Sequence, residues 1–162
     1  MINVTHRSSS EELADPGSVT REQVRARLAD WRNRVHALYD RIADALRGST
    51  YQIDREGKHT PEEELPHRVG LPASEQPAID ILRIARPDRT NAALLIPKGL
   101  WIIGANGRVD LRIISQVGRS DNYMLVDQSN PFAEISDWVR IPIGSPFDRE
   151  PFDPRWLLMK LH

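Results

Sequence analysis

The chain has no cysteine, which removes disulfides, thiol catalysis and cysteine-ligated zinc together. It has no apolar run of roughly 18 residues or more, so no segment reads as a membrane span. A charge of one sign is missing too. The formal charge is −1 and the isoelectric point is near 6.5, so no global positive field draws in nucleic acid or an anionic membrane. Lysine is scarce, at Lys58, Lys98 and Lys160 against 19 arginines. Most of the basic side chains are therefore planar forks suited to bidentate pairing with carboxylates or phosphates.

Catalytic patterns are absent as well. No two of His6, His36, His59, His67 and His162 stand at metal-ligand spacing on one helix. Glu64 and His67 keep a Glu-x-x-His interval, but Pro66 breaks the helical geometry that would aim both at one ion. There is no Gly-x-Ser-x-Gly elbow, and the glycines at Gly104 and Gly107 precede a strand pattern and not a helix, so no phosphate loop is expected. No metal or cofactor is expected. The first residues lack an apolar leader and carry Glu11, Glu12 and Asp15, unlike an acid-poor transit peptide, which places the expected compartment in the cytosol.

What the chain does have is organised around the stretch from Ala92 to Ser115. Asn106-Gly107 is a strong signal for a two-residue type I′ turn, because both central residues need φ > 0. That turn predicts a hairpin in which Ala105 opposes Arg108, Ile102 opposes Leu111, Trp101 opposes Arg112 and Leu100 opposes Ile113. One face then gathers Leu100, Ile102, Val109, Leu111 and Ile113. The other gathers Trp101, Ile103, Arg108, Asp110 and Arg112, with Trp101 against the Arg112 guanidinium.

Before the hairpin, residues 1–19 are polar and serine-rich and read as a disordered tail, leaving 20–162 as a single α+β domain. Thr20 and Gln23 form a capping-box pattern. From there to Leu46 the apolar residues Val24, Leu28, Trp31, Val35, Leu38 and Ile42 alternate intervals of four and three, predicting one long helix. That stripe fits packing across the chain's own sheet and also fits a homodimer seam. Seven arginines against four acids leave the helix at +3, expected as a solvated face.

Prolines and glycines crowd 51–77, where Thr60 and Pro61 could cap and open a short helix. Ala78 to Ala85 reads as a strand with apolar residues in both phases, hence central and covered on both sides. A strand follows from Tyr123 to Asp127, then Trp138 to Ile143, an edge strand because Pro142 cannot donate to the ladder. Phe132, Phe147 and Phe152 each follow a proline and are expected to pin loops to the core. Trp156 to Leu161 is equally compatible with strand and helix.

Asp110 on the hairpin and the strand ending Asp127-Gln128-Ser129 resemble, over about 20 residues, the core of PD-(D/E)xK nucleases. That resemblance implies Mg²⁺ held by Asp110 and Asp127, with a lysine orienting water. Ser129 stands where the lysine belongs, which makes the implied site degenerate.

The expected fold is thus α+β, a long N-terminal helix packed on a mostly antiparallel sheet of five to six strands. The expected role is a non-enzymatic interaction or accessory module acting through a partner protein or self-association. Trp101, Arg108, Asp110 and Arg112 are the expected partner-binding residues, since Arg108 and Arg112 lie about 7 Å apart on one strand face and mix with an aromatic.

Overall fold

Thr20 opens the first element as its spacing predicts. Its hydroxyl accepts the Gln23 N–H at 3.2 Å, while the Gln23 side-chain oxygen accepts the Thr20 N–H at 2.8 Å. In the computed structural model, which describes residues 18–59, 63–102 and 104–162 and, for 56–59, the backbone alone, helix α1 spans Arg21–Leu46. The tail at 1–17, the Thr60 and Pro61 cap and the place of Ile103 lie outside the described residues.

Along α1 the stripe of Val24, Leu28, Trp31, Val35, Leu38 and Ile42 is 0–7% exposed within a single chain. Burying each such side chain stabilises the fold by roughly 1.5–3 kcal/mol. Within the single chain the stripe packs into the core shared with the chain's own sheet.

The sheet has seven strands in chain order, every neighbouring pair antiparallel. These are β1 (Gln52–His59), β2 (Ile79–Ala85), β3 (Asn91–Gly99), β4 (Arg108–Ile114), β5 (Ser120–Asp127), β6 (Trp138–Pro142) and β7 (Glu150–Pro151). Seven is slightly more than the expected five to six, and the strands that the sequence pattern did not show are the two edges. β1, QIDREGKH, carries charges and a glycine in place of apolar alternation, as exposed edges commonly do. β7 has two residues and leaves no periodic trace. Because β7 pairs outside Val139 and Arg140, β6 is not the edge that Pro142 suggested.

Helices α2 (Glu64–Arg68) and α3 (Pro154–Leu161) complete the fold. α3 settles the ambiguous C-terminal segment through its start signals: Asp153 accepts the Arg155 N–H at 2.9 Å, and Pro154 fills the first helical position. Leu65 of α2 and Leu157 and Leu161 of α3 pack into the same core as the α1 stripe. All three helices therefore cover one face of the sheet. β2 is accordingly covered on one side, with Leu82 and Ile84 in the core while Ile81 and Arg83 on the opposite face are only partly buried. Phe152 is a core anchor at 4% exposure, whereas Phe132 and Phe147 are exposed, so the expectation of three aromatic anchors holds for one.

The hairpin register departs from the turn-based expectation. Leu94 opposes Arg112, Leu95 opposes Leu111, Ile96 opposes Asp110 and Pro97 opposes Val109. Trp101 is not beside Arg112; the residue there lies seven positions earlier in the chain. An odd shift exchanges the two faces of β3, so Ala93 and Leu95 point into the core and Leu94, Ile96 and Lys98 point away. The cause is tertiary. Gly107 takes positive φ but Asn106 does not, so the type I′ turn is absent. The chain from 100 to 107 instead buries Leu100 completely, seats Gly107 on the Trp31 ring and uses Asn106 to bridge Arg27 and Asn130. A tighter turn closes between Ile102 and Ala105, where Gly104 has φ +78°.

Candidate functional site

The face of the sheet opposite the helices collects the residues of interest. Arg108, Asp110 and Arg112 alternate with the buried Val109, Leu111 and Ile113 along β4, so all three project from the helix-free side. Beside them on β3 stand Leu94, Ile96 and Lys98, and on β5 Asn122, Met124 and Val126. Leu94, Ile96 and Met124 are partly buried and Arg112 is exposed.

Lys98 joins two depressions on this side. The larger, about 420 Å³, lies between α2 and the loop after β3, with Glu63, Arg68, Trp101 and Arg108 among its walls. The smaller, about 200 Å³, has Ile96, Asp110, Arg112 and Ile143 around it. Arg108, Asp110 and Arg112 thus fall on one surface, whereas Trp101, a wall of the larger depression, also packs against the helix-side core and lines a groove beside Val24 and Arg27 of α1. Trp101 reaches the larger depression from the loop, seven positions along the chain from the residue that opposes Arg112.

The charges are arranged unevenly. Asp110 accepts from Arg108 Nε at 2.6 Å and lies 4.0 Å from the Lys98 ammonium. Arg112 makes no ion pair among the described residues. At the far wall, the Glu63 carboxylate accepts the backbone N–H groups of Leu100 and Trp101. Burial pushes the Glu63 carboxyl above its usual range, and those two N–H groups pull it only part of the way back. Gly99 leaves the room this carboxylate needs, since a Cβ there would sit 3.0 Å from Glu63 Oε1. Glu63 thereby fixes the loop that carries Trp101, a role without a sequence signal, because nothing in the pattern links positions 63 and 100.

The nuclease-like pair does not assemble. Asp110 is on the helix-free face, while Asp127 lies on the other, fully buried and ion-paired to Arg34 of α1. Asp127 also accepts the N–H groups of Ser129 at 2.9 Å and Asp137 at 3.0 Å. Burial raises its carboxyl, but those N–H groups and Arg34 outweigh burial and hold it below the usual carboxylate range. Arg34 in turn donates to Asp30 at 2.8 Å and to the Asn106 carbonyl at 2.7 Å. Two acids on opposite faces cannot hold one ion, and among the described residues no three metal-ligating side chains gather anywhere. What looked like a solvated arginine on α1 is a buried tie between helix and sheet, a residue the charge pattern could not separate from its exposed neighbours.

Fold and surface together define an α+β protein whose sheet is packed under helices on one side and on the other carries a small buried cluster of Val126, Val139 and Ile141 beside the partly buried Leu94, Ile96 and Met124 and the cations of β3 and β4. Among the described residues no helix is long and apolar enough to cross a membrane. No family model matches the chain, and no curated protein or solved structure matches it either.

Proposed function

We propose that this protein is a non-enzymatic interaction module that receives a partner protein on the helix-free face of its sheet. The observation that carries the reading is the asymmetry of the two layers. Helices α1, α2 and α3 all contribute to the core on one face, while the opposite face keeps Leu94, Ile96 and Met124 only partly buried next to a small buried cluster of Val126, Val139 and Ile141, and Arg112 there makes no ion pair among the described residues. An aromatic near an arginine is the mixture that concentrates binding energy in protein interfaces. The depressions beside Lys98 supply shape, and the rim charges supply orientation and rate of encounter.

Co-purification from host cells tests the reading with tagged wild type, Arg108→Ala/Arg112→Ala, and a control pair on the helix side, Arg47→Ala/Arg155→Ala. The first pair should lose associated protein in a salt-dependent way, while the control pair retains it. Equal recovery from all three chains would overturn the reading.

A further inference from the structure

Resting on the reading of the helix-free face as a docking surface, we infer that its occupant is an acidic amphipathic helix of a partner protein. The face is laid out in rows. Ile96, Asp110, Met124 and Ile141 form one row across β3 to β6, of which Ile96 and Met124 are partly open to solvent. Asp110, the one acid in that row, is held by Arg108 and Lys98. The adjacent row contains Arg83, Leu94, Arg112 and Asn122, about 7 Å away because alternate side chains share a face. Ile143, 54% exposed, closes the depression beside Arg112. The partly open Ile96 and Met124 and the exposed Ile143, beside a row that carries Arg112, are what an amphipathic helix with an aliphatic stripe and flanking carboxylates would complement.

Charge decides the sign of the partner. Lys98 and Arg108 share their depressions with Asp110, Glu63 and Glu64, the last paired to Arg68, while Arg112 makes no ion pair among the described residues, so one cation is left over after the surface's own pairing. A second copy of this chain would set that excess against itself, and a basic segment would fare no better. Backbone chemistry decides its form. Strands β2 to β6 are each paired on both sides, so no strand can be added here. An extended segment laid flat would bury its own N–H and C=O groups unpaired, while a helix brings them already satisfied.

The test uses the full chain and fluorescence anisotropy with three labelled synthetic peptides. One is a Glu/Leu amphipathic helix, the second the same helix with Lys for every Glu, and the third a scramble of the first that spreads Leu around the axis. The Glu/Leu helix should bind about tenfold or more tightly than either control. Arg112→Glu and Ile143→Asp, both at exposed positions that leave the fold intact, should each weaken it by a similar factor, and Arg47→Glu should leave it unchanged. Preference for the Lys/Leu helix, still lost in Ile143→Asp, would overturn the acidic partner while leaving the docking surface standing. Equal binding of the scramble would overturn the amphipathic helix. Glu/Leu binding indifferent to both face variants would overturn the inference and the docking surface together. Tighter, Arg112-dependent binding of phosphatidylserine vesicles or of single-stranded DNA than of the Glu/Leu helix would replace the protein partner with another anion.

Discussion

At Gly107 the backbone takes φ +125° against the Trp31 ring, and a Cβ at that position would fall 2.1 Å from Trp31 Cζ3. Strain at positive φ and overpacking act together there, so Gly107→Val should cost about 3 kcal/mol or more. A denaturation midpoint unchanged from wild type would contradict the close approach. The Arg34 and Asp127 side chains are 6% and 0% exposed, and removing one partner of such a buried pair should cost about 3–5 kcal/mol. Arg34→Met is therefore expected to be severe, and Arg34→Met with Asp127→Leu milder than the sum of the single changes. Since the folded-state carboxyl of Asp127 is depressed, its contribution is present above the unfolded value of about 4 and is lost as pH falls through the folded one. Urea titrations should show wild-type stability falling in acid more steeply than that of Asp127→Asn, which starts lower at neutral pH. Parallel pH profiles would remove Asp127 from the acid response.

Among the elements, α1 gives the plainest stability test. With its stripe inside the monomer, Leu38→Ala should cost about 2–5 kcal/mol at every protein concentration. A melting temperature that climbs with concentration would mean that a second chain contributes to the burial. The same helix shows what was legible in the sequence. Thr20, Gln23 and the four-and-three spacing act locally, so the pattern alone located α1 within a residue or so. The alternation of Val109, Leu111 and Ile113 likewise placed the correct face of β4 inward. The partner strand was misjudged because Asn106-Gly107 reports only an intrinsic turn preference, and that preference lost to Trp31, Glu63 and Arg27, residues far away in sequence. One odd shift of register was enough to turn Leu94 and Ile96 outward and detach Trp101 from Arg112. The candidate surface was consequently half legible: Arg108, Asp110 and Arg112 share a strand and a side by period alone, while Lys98, Ile96 and the placement of Trp101 depend on long-range pairing.

For the whole molecule, α1, α2 and α3 cover one side of a meandering sheet, and the proposed partner would complete the other. Arg112 of that side is exposed and without an ion pair among the described residues, and the Arg108–Asp110 pair is partly open to solvent, so these cations do little for the fold. Arg108→Ala/Arg112→Ala should change stability by no more than about 1 kcal/mol, since exposed ion pairs are worth little; a large loss would mean that the row is structural. The most direct measurement of the central claim is photo-crosslinking in host cells, with the reactive side chain placed in turn at position 112 on the open sheet face and at position 47 beyond the end of α1. The account predicts a discrete adduct from position 112, suppressed by Ile143→Asp, and none from position 47. Adducts of equal yield from both positions, or from position 47 alone, would contradict it.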